Sequence, residues 1–400
     1  MKLKIAFASA TALGLMMGVA YATDWNVSDV NQDGNNNSAI VTQSGANNDA
    51  GSDTQAMRQI GNLNQLTITQ SGNGNDVGLE GNADSGEAGI YQKTHENGLQ
   101  GNRITVKQTS GGNVVGAISQ VKANNKNAAF NGVTITQEGG DENRVGTVYQ
   151  RRGDSAANVA TITQSGGGNV VERIYQNNGE SGSTAANNHI IVTMTGDSNG
   201  AGLLTDAALV PGAISSNLVQ NGNRHRITLT IEGSSNEFGV NQSAGRGSNV
   251  NATIVGGTNQ LGVNQTGREH SVIATITGEG NNVGVRQSIG GAGLGNTAIV
   301  TITGDFNGGG VLAAEAGTLA EANGLVSGLI NQNGLSNTAT LTITNSSNNQ
   351  FAFLQLGNDN KITGDVSGGG GNSATHVQIG NNNTSGFVQA GSGNMVSVSQ

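Results

Sequence analysis

Residues 158–176 read NVATITQSGGGNVVERIYQ. Ala160, Ile162 and Gln164 alternate with Thr161 and Thr163. A period of two marks a strand with one buried face. Residues 165–169 form a glycine-rich turn, where left-handed backbone angles cost little. A second strand runs through Ile174 to Gln176, and Asn177, Asn178 and Gly179 turn the chain back. One unit is therefore strand, turn, strand, turn.

The same frame recurs twelve times along the chain. Its first strands end at Gln43, Gln70, Gln108, Gln137, Gln164, Met194, Ile231, Ile254, Ile276, Ile302, Ile343 and Gln378. Six residues earlier stands an asparagine in nine units; His225, Ser248 and His270 replace it in the others. Gly follows two residues later in ten of twelve, among them Gly72, Gly166, Gly233 and Gly278. Asn follows five later in eleven, among them Asn75, Asn169, Asn236 and Asn281. These glycines and asparagines are read as turn residues, and the two histidines as asparagine substitutes at a turn. Second strands end at Gln120, Gln150, Gln176, Gln220, Gln242, Gln265, Gln287, Gln332, Gln355 and Gln389. A repeat of this length predicts an all-β fold, a β-solenoid of about twelve strand-turn-strand coils with loop insertions.

Stacking coils at about 4.8 Å places like residues above one another. A buried glutamine then bonds its own kind, as in the amide ladders of cross-β structure. An unpaired buried amide costs about 1–3 kcal/mol, so a repeated interior Gln requires neighbours that also carry it. The strand-end glutamines are expected to form such a structural ladder. Through the fifth unit the first-strand end is Gln; from the sixth to the eleventh it is Met or Ile; the last returns to Gln378. Some coils carry insertions, at residues 121–130, 200–216 and 308–327. These are expected as side loops extruded from one edge, with a short helix over residues 313–322.

Composition agrees with a stack rather than a conventional core. Aromatics are 3% and charged residues 11%, while Gly is 65 of 400. Yet Pro211 is the single proline, and the β-branched residues are periodic, unlike a disordered chain. Residues 1–22 read as a secretory signal: Lys2 and Lys4, an apolar run, then Ala20-Tyr21-Ala22. No later stretch is long and apolar enough for membrane insertion. Removing the two lysines leaves 16 basic against 27 acidic residues, a net of −11, which disfavours nucleic acid and anionic lipid. No cysteine is present, so the stack must stabilise itself without disulfides.

Chemistry has weak signals. The acids fall mostly in turns, as at Asp197 and Asp305 and, after Gly364, Asp365, rather than as paired catalytic carboxylates on one strand face. His95, His189, His225, His270 and His376 do not share one register; His225 and His270 do, but two coils apart, ~9.6 Å, too far for one ion. Asp33-Gly34 lacks the spacing of a calcium loop, and no glycine run precedes Lys-Ser/Thr. No enzyme and no cofactor is expected. The Thr-x-Thr series (Thr67/Thr69, Thr134/Thr136, Thr161/Thr163, Thr275/Thr277, Thr301/Thr303) predicts outward threonine rows like those of ice-binding solenoids. Threonine is also simply a good exposed strand residue.

The unit Asn158-x5-Gln164-x-Gly166-x2-Asn169-x6-Gln176 resembles the curlin repeat, Ser-x5-Gln-x-Gly-x2-Asn-x-Ala-x3-Gln, with Asn for Ser and one extra residue. Ile276-x-Gly278-x2-Asn281-x5-Gln287 restores the family spacing but lacks the first Gln. The resemblance covers roughly residues 37–400. It implies a subunit of extracellular amyloid fibres of Gram-negative bacteria, serving biofilm matrix and adhesion to host or abiotic surfaces. It also implies self-polymerisation, a nucleating homologue and an outer-membrane export pore, with residues 23–36 as a candidate export-recognition segment. The alternatives are a non-polymerising solenoid adhesin, whose insertions would be recognition loops, and an ice-binding protein.

Overall fold

A computed structural model of the protein describes residues 26–51, 56–80, 89–94, 100–122, 130–152, 157–178, 187–289 and 293–400. The signal segment, residues 23–25 and His95 lie outside the described residues. The fold is all-β and parallel, with long stacked sheets. Each coil contributes one strand to a first sheet and one to a second, and each strand pairs in register with its counterpart a coil away.

The chain divides into two compact units. The first comprises Met1–Asp197 and Val219–Arg224. Its first sheet stacks Ser38–Ser44, Gln65–Ser71, Arg103–Gln108, Gly132–Gly139, Asn158–Gly166 and Asn188–Thr195. Its second sheet begins with strands broken in two, such as Val27–Ser28 with Val30–Asp33, and continues as unbroken strands from Val114–Lys122. The other unit comprises Ser198–Leu218 and His225–Gln400. Its first sheet runs from Arg226–Ile227 and Thr230–Ile231 to Lys361–Ser367 and Thr384–Ala390, its second from Glu237–Arg246 to Ser373–Ile379 and Met395–Ser399.

The core of each unit lies between its two sheets. Ile68, Val106, Ile135 and Ile162 face inward from the first sheet of one unit, Val240, Val263 and Val285 from the second sheet of the other, all buried. Alternate positions face out, which is the period-two pattern made physical. Glycine is required at the turns by two separate constraints. Gly166 and Gly278 adopt φ of 102° and 119°, and a Cβ there would strike the carbonyl of the turn stacked on it.

Coils number thirteen among the described residues, six first-sheet strands in one unit and seven in the other, in keeping with the expected number of about twelve. Four expectations are corrected. The repeat starts earlier than Asn37, because strands 27–28 and 30–33 already pair in the second sheet. Gln378 does not end a first strand: it lies in the second sheet beside Gln355, and Gln389 lies in the first sheet beside Val366. The cause is that both strands of a coil use the same Asn-x5-end-x-Gly frame, and the apolar end Val366 hides one of them. Asp365 sits within the strand Lys361–Ser367, not in a turn.

The fourth correction concerns the insertions. Residues 200–216 and 308–327 are not extruded; they fold back over the outer face of the second sheet. The first passes over a file of glycines, Gly239, Gly262 and Gly284, stacked in register. Without Cβ atoms there, the loop backbone at Ile214, Ala208 and Ala207 rests directly on the sheet. The second carries the helix Ala314–Ala322, close to the expected 313–322. Leu312, Ala320 and Leu325 pack on Ala352, Leu354 and Val377. Gly317 in mid-helix is explained by close approach, since a Cβ would lie 2.6 Å from the Leu312 carbonyl oxygen. Residues 123–129 of the remaining insertion lie outside the described residues.

Candidate functional site: the amide ladders and their open edges

In the first sheet of the first unit, Gln43, Gln70, Gln108, Gln137 and Gln164 form one file. Each Nε2 donates to the Oε1 of the next, at 2.8, 3.0, 2.9 and 2.8 Å. The same nitrogen reaches across the interior: Gln70 Nε2 is 3.0 Å from the Asp49 carbonyl and 2.7 Å from that of Asn75. The amide thus bonds along the stack and holds the opposite strand, which answers every polar demand of a buried group. The file stops at Gln164, whose Nε2 donates to the Arg144 and Asn169 carbonyls, and Met194 stands in the next place.

The second sheet carries a longer file in each unit. Gln32, Gln59, Gln92, Gln120, Gln150, Gln176 and Gln220 are linked at 2.6–3.0 Å. Gln242, Gln265, Gln287, Gln332, Gln355, Gln378 and Gln400 are linked at 2.8–3.0 Å. Gln32, Gln59, Gln92 and Gln400 were missed in the sequence. The signal was present as the eleven-residue step from Gln32 to Gln43, from Gln59 to Gln70 and from Gln389 to Gln400. In the second unit the first-sheet ends are an apolar file, Ile231, Ile254, Ile276, Ile302, Ile343 and Val366, and Gln returns only at Gln389. Gln389 Oε1 is buried without a partner, because Val366 beneath it has no amide to give.

The turn asparagines are themselves buried ladders running the other way. Asn75 donates through its backbone N–H and Nδ2 to Asn48 Oδ1, at 3.1 and 3.0 Å. Asn169 does so to Asn143, Asn236 to Asn199 and Asn281 to Asn259. Their Nδ2 atoms also reach the glycine carbonyls, as Asn169 reaches Gly196 at 2.8 Å. His270 takes an asparagine place in the companion ladder: its Nδ1 accepts the Asn296 N–H at 3.0 Å. Gly72 and Gly233, like Gly166 and Gly278, hold positive φ in the turns between these asparagines and the strand ends.

The charged groups are local. Asp141, Asp197 and Asp305 each accept a turn N–H from the adjacent coil, at 2.7–2.9 Å. Asp49 and Asp76 stack in register in the second sheet. Burial, then the Asp49 and Glu80 charges, pushes the Asp76 carboxyl up to about 6. Arg144 holds Glu80 by two bonds of 2.6 and 2.9 Å and reaches Glu172 at 3.4 Å. Buried His376 stacks on Phe387 with centroids 4.6 Å apart and is held by burial down to about 4. Tyr149 and Tyr175 stack along the second sheet at 5.2 Å. Thr230, Thr253, Thr275, Thr301 and Thr342 form one file on the first sheet.

At the outer strands the ladders have no continuation among the described residues. Thr384–Ala390 pairs only with Lys361–Ser367, and Met395–Ser399 only with Ser373–Ile379. At the other extreme, Ser38–Ser44 pairs only with Gln65–Ser71. What such an arrangement offers is unmet hydrogen-bonding capacity in strand form. No family model matches the sequence, and no curated protein is similar to it.

Proposed function

We propose that the chain is a structural subunit of secreted, curli-like fibres, built by end-to-end addition of copies whose strands continue one another's sheets. The observation that carries this reading is the pair of outer strand edges, where backbone and side-chain ladders end without a further strand among the described residues. The curlin-repeat resemblance supports the same reading and adds the setting: a biofilm matrix or cell surface, a nucleating homologue and an export pore. Seeded growth of the purified chain without residues 1–22 tests it. Seeds are expected to shorten the lag in thioflavin fluorescence, with filaments whose fibre diffraction has a meridional spacing near ~4.7 Å. A monomer that seeds never elongate would overturn it.

The adhesin alternative relied on exposed recognition loops, and the insertions at 200–216 and 308–327 lie on the sheet instead. Ice binding draws support from the file of five threonines on the first sheet. Freezing-point hysteresis of the monomer is its measurement, and its absence removes that reading.

A further inference from the structure

The two ladder types run in opposite directions, so the two edges differ. Where glutamines bond one another, Nε2 donates toward the coil of higher residue number; where turn asparagines do, Oδ1 accepts from it. The edge at 384–399 therefore presents Gln389 and Gln400 Nε2 as donors and Asn383 and Asn394 Oδ1 as acceptors. The edge at 27–44 presents Gln32 and Gln43 Oε1, to which no donor comes among the described residues, and the backbone N–H groups of Asn26 and Asn37. Each edge complements the other and not itself.

Strand order then decides how they meet. The last described strand, Met395–Ser399, is in the second sheet, so the next strand of the coil belongs on Thr384–Ala390 in the first. The first described strands, Val27–Ser28 and Val30–Asp33, are also of the second sheet. Placing them on Met395–Ser399, like on like, lifts Ser38–Ser44 too far and leaves one strand's worth of backbone on Thr384–Ala390 unpaired. Placing them on Thr384–Ala390 closes the coil. The side chains match in this second arrangement: Asn26, Gln32, Gly34, Asn37 and Gln43 fall on Asn383, Gln389, Gly391, Asn394 and Gln400, with identical spacings throughout.

We infer that a second copy of the chain docks after a half-turn about the stacking direction, its second sheet continuing the first sheet of the copy beneath. This rests on the end-to-end assembly proposed above and adds its register. The chain has no cysteine, so introduced pairs report contacts cleanly. Stacked residues sit about 4.8 Å apart, inside the disulfide range of about 4.4–6.8 Å. Asn31, Thr42 and Ser399 are exposed, so cysteine there leaves the interior intact.

The half-turn places Thr42 on Ser399; like-on-like stacking places Asn31 there instead and leaves Thr42 a coil too far from Val388. Fibres of the Thr42→Cys/Ser399→Cys chain, oxidised and then dissolved without reductant, are expected to run as a ladder of covalent multimers. Fibres of Asn31→Cys/Ser399→Cys are expected to run as monomers. Cross-linking in the second variant, or in neither while fibres sediment, overturns the half-turn and leaves assembly standing. Failure of the cysteine-free chain to form fibres at all overturns both.

Discussion

Gln137 shows what one residue does in this stack. Its Oε1 accepts from Gln108, and its Nε2 donates to Gln164 and to the Asn143 carbonyl. Gln137→Leu leaves those buried groups unpaired at about 1–3 kcal/mol each, so a loss of at least about 2 kcal/mol is expected in urea unfolding of the monomer. Ile276→Gln, an amide set between Ile254 and Ile302, is expected to destabilise as well, although it adds a glutamine to a glutamine-rich protein. Equal stability of both variants with the parent would contradict the ladder account.

Two titrating residues give opposite pH dependence. Asp76 has a folded pKa of about 6, above its ordinary 3.8, so its charge opposes folding above pH 6. Its contribution improves as pH falls through 6, and Asp76→Asn is expected to raise the neutral-pH unfolding midpoint and flatten that rise. His376 is held to about 4, below its ordinary 6.5. Its contribution is full above 6.5 and is lost as pH falls from 6.5 toward 4, because the unfolded chain takes the proton first. His376→Leu is expected to remove that acid loss, read as the unfolding midpoint between pH 7 and 4.

At the scale of elements, the two insertions are straps laid over coils that follow them in sequence. Residues 200–216 bond Gln260 and Asn282 through Thr205 and Ala208, at 2.7–3.0 Å. The helix Ala314–Ala322 is tied by Thr375 Oγ1 donating to the Ala316 carbonyl at 2.7 Å. The glycine file under the first strap has the character of a seat. Gly262→Val would place branched carbon where the Ala208 carbonyl lies. Limited proteolysis is expected to nick that variant within 200–216, with the ladder glutamines unaffected and a cost of about 1–3 kcal/mol from overpacking. Unchanged protease resistance would show that the strap does not depend on the bare backbone beneath it.

For the whole molecule, the proposed assembly turns on whether strand edges stay available. Gln400 bonds inward through its N–H to Val377 and its carbonyl to Ile379. Alternate residues, Ser397 among them, turn their backbone groups outward. Proline removes such an outward donor while sparing the inward bonds. Ser397→Pro is expected to stop elongation from this edge at unchanged monomer stability, measured by seeded fluorescence and thermal unfolding. Growth at the parental rate would place the addition site elsewhere.

The strand-and-turn unit was legible in residues 158–176, because inward and outward positions alternate and glycine adopts the left-handed angles of the turn at little cost. The ladder was legible at Gln70, Gln108, Gln137 and Gln164, because a buried amide must have a like neighbour. Phase was not: the two strands of a coil obey one frame, so Gln378 and Gln389 could be sorted into sheets only by their partners, Gln355 and Val366. The resting place of the insertions was equally hidden. A glycine at 239, 262 or 284 reads as a turn or a flexible point in one dimension, and becomes a seat for backbone only when three of them stack and a distant loop comes to lie on them.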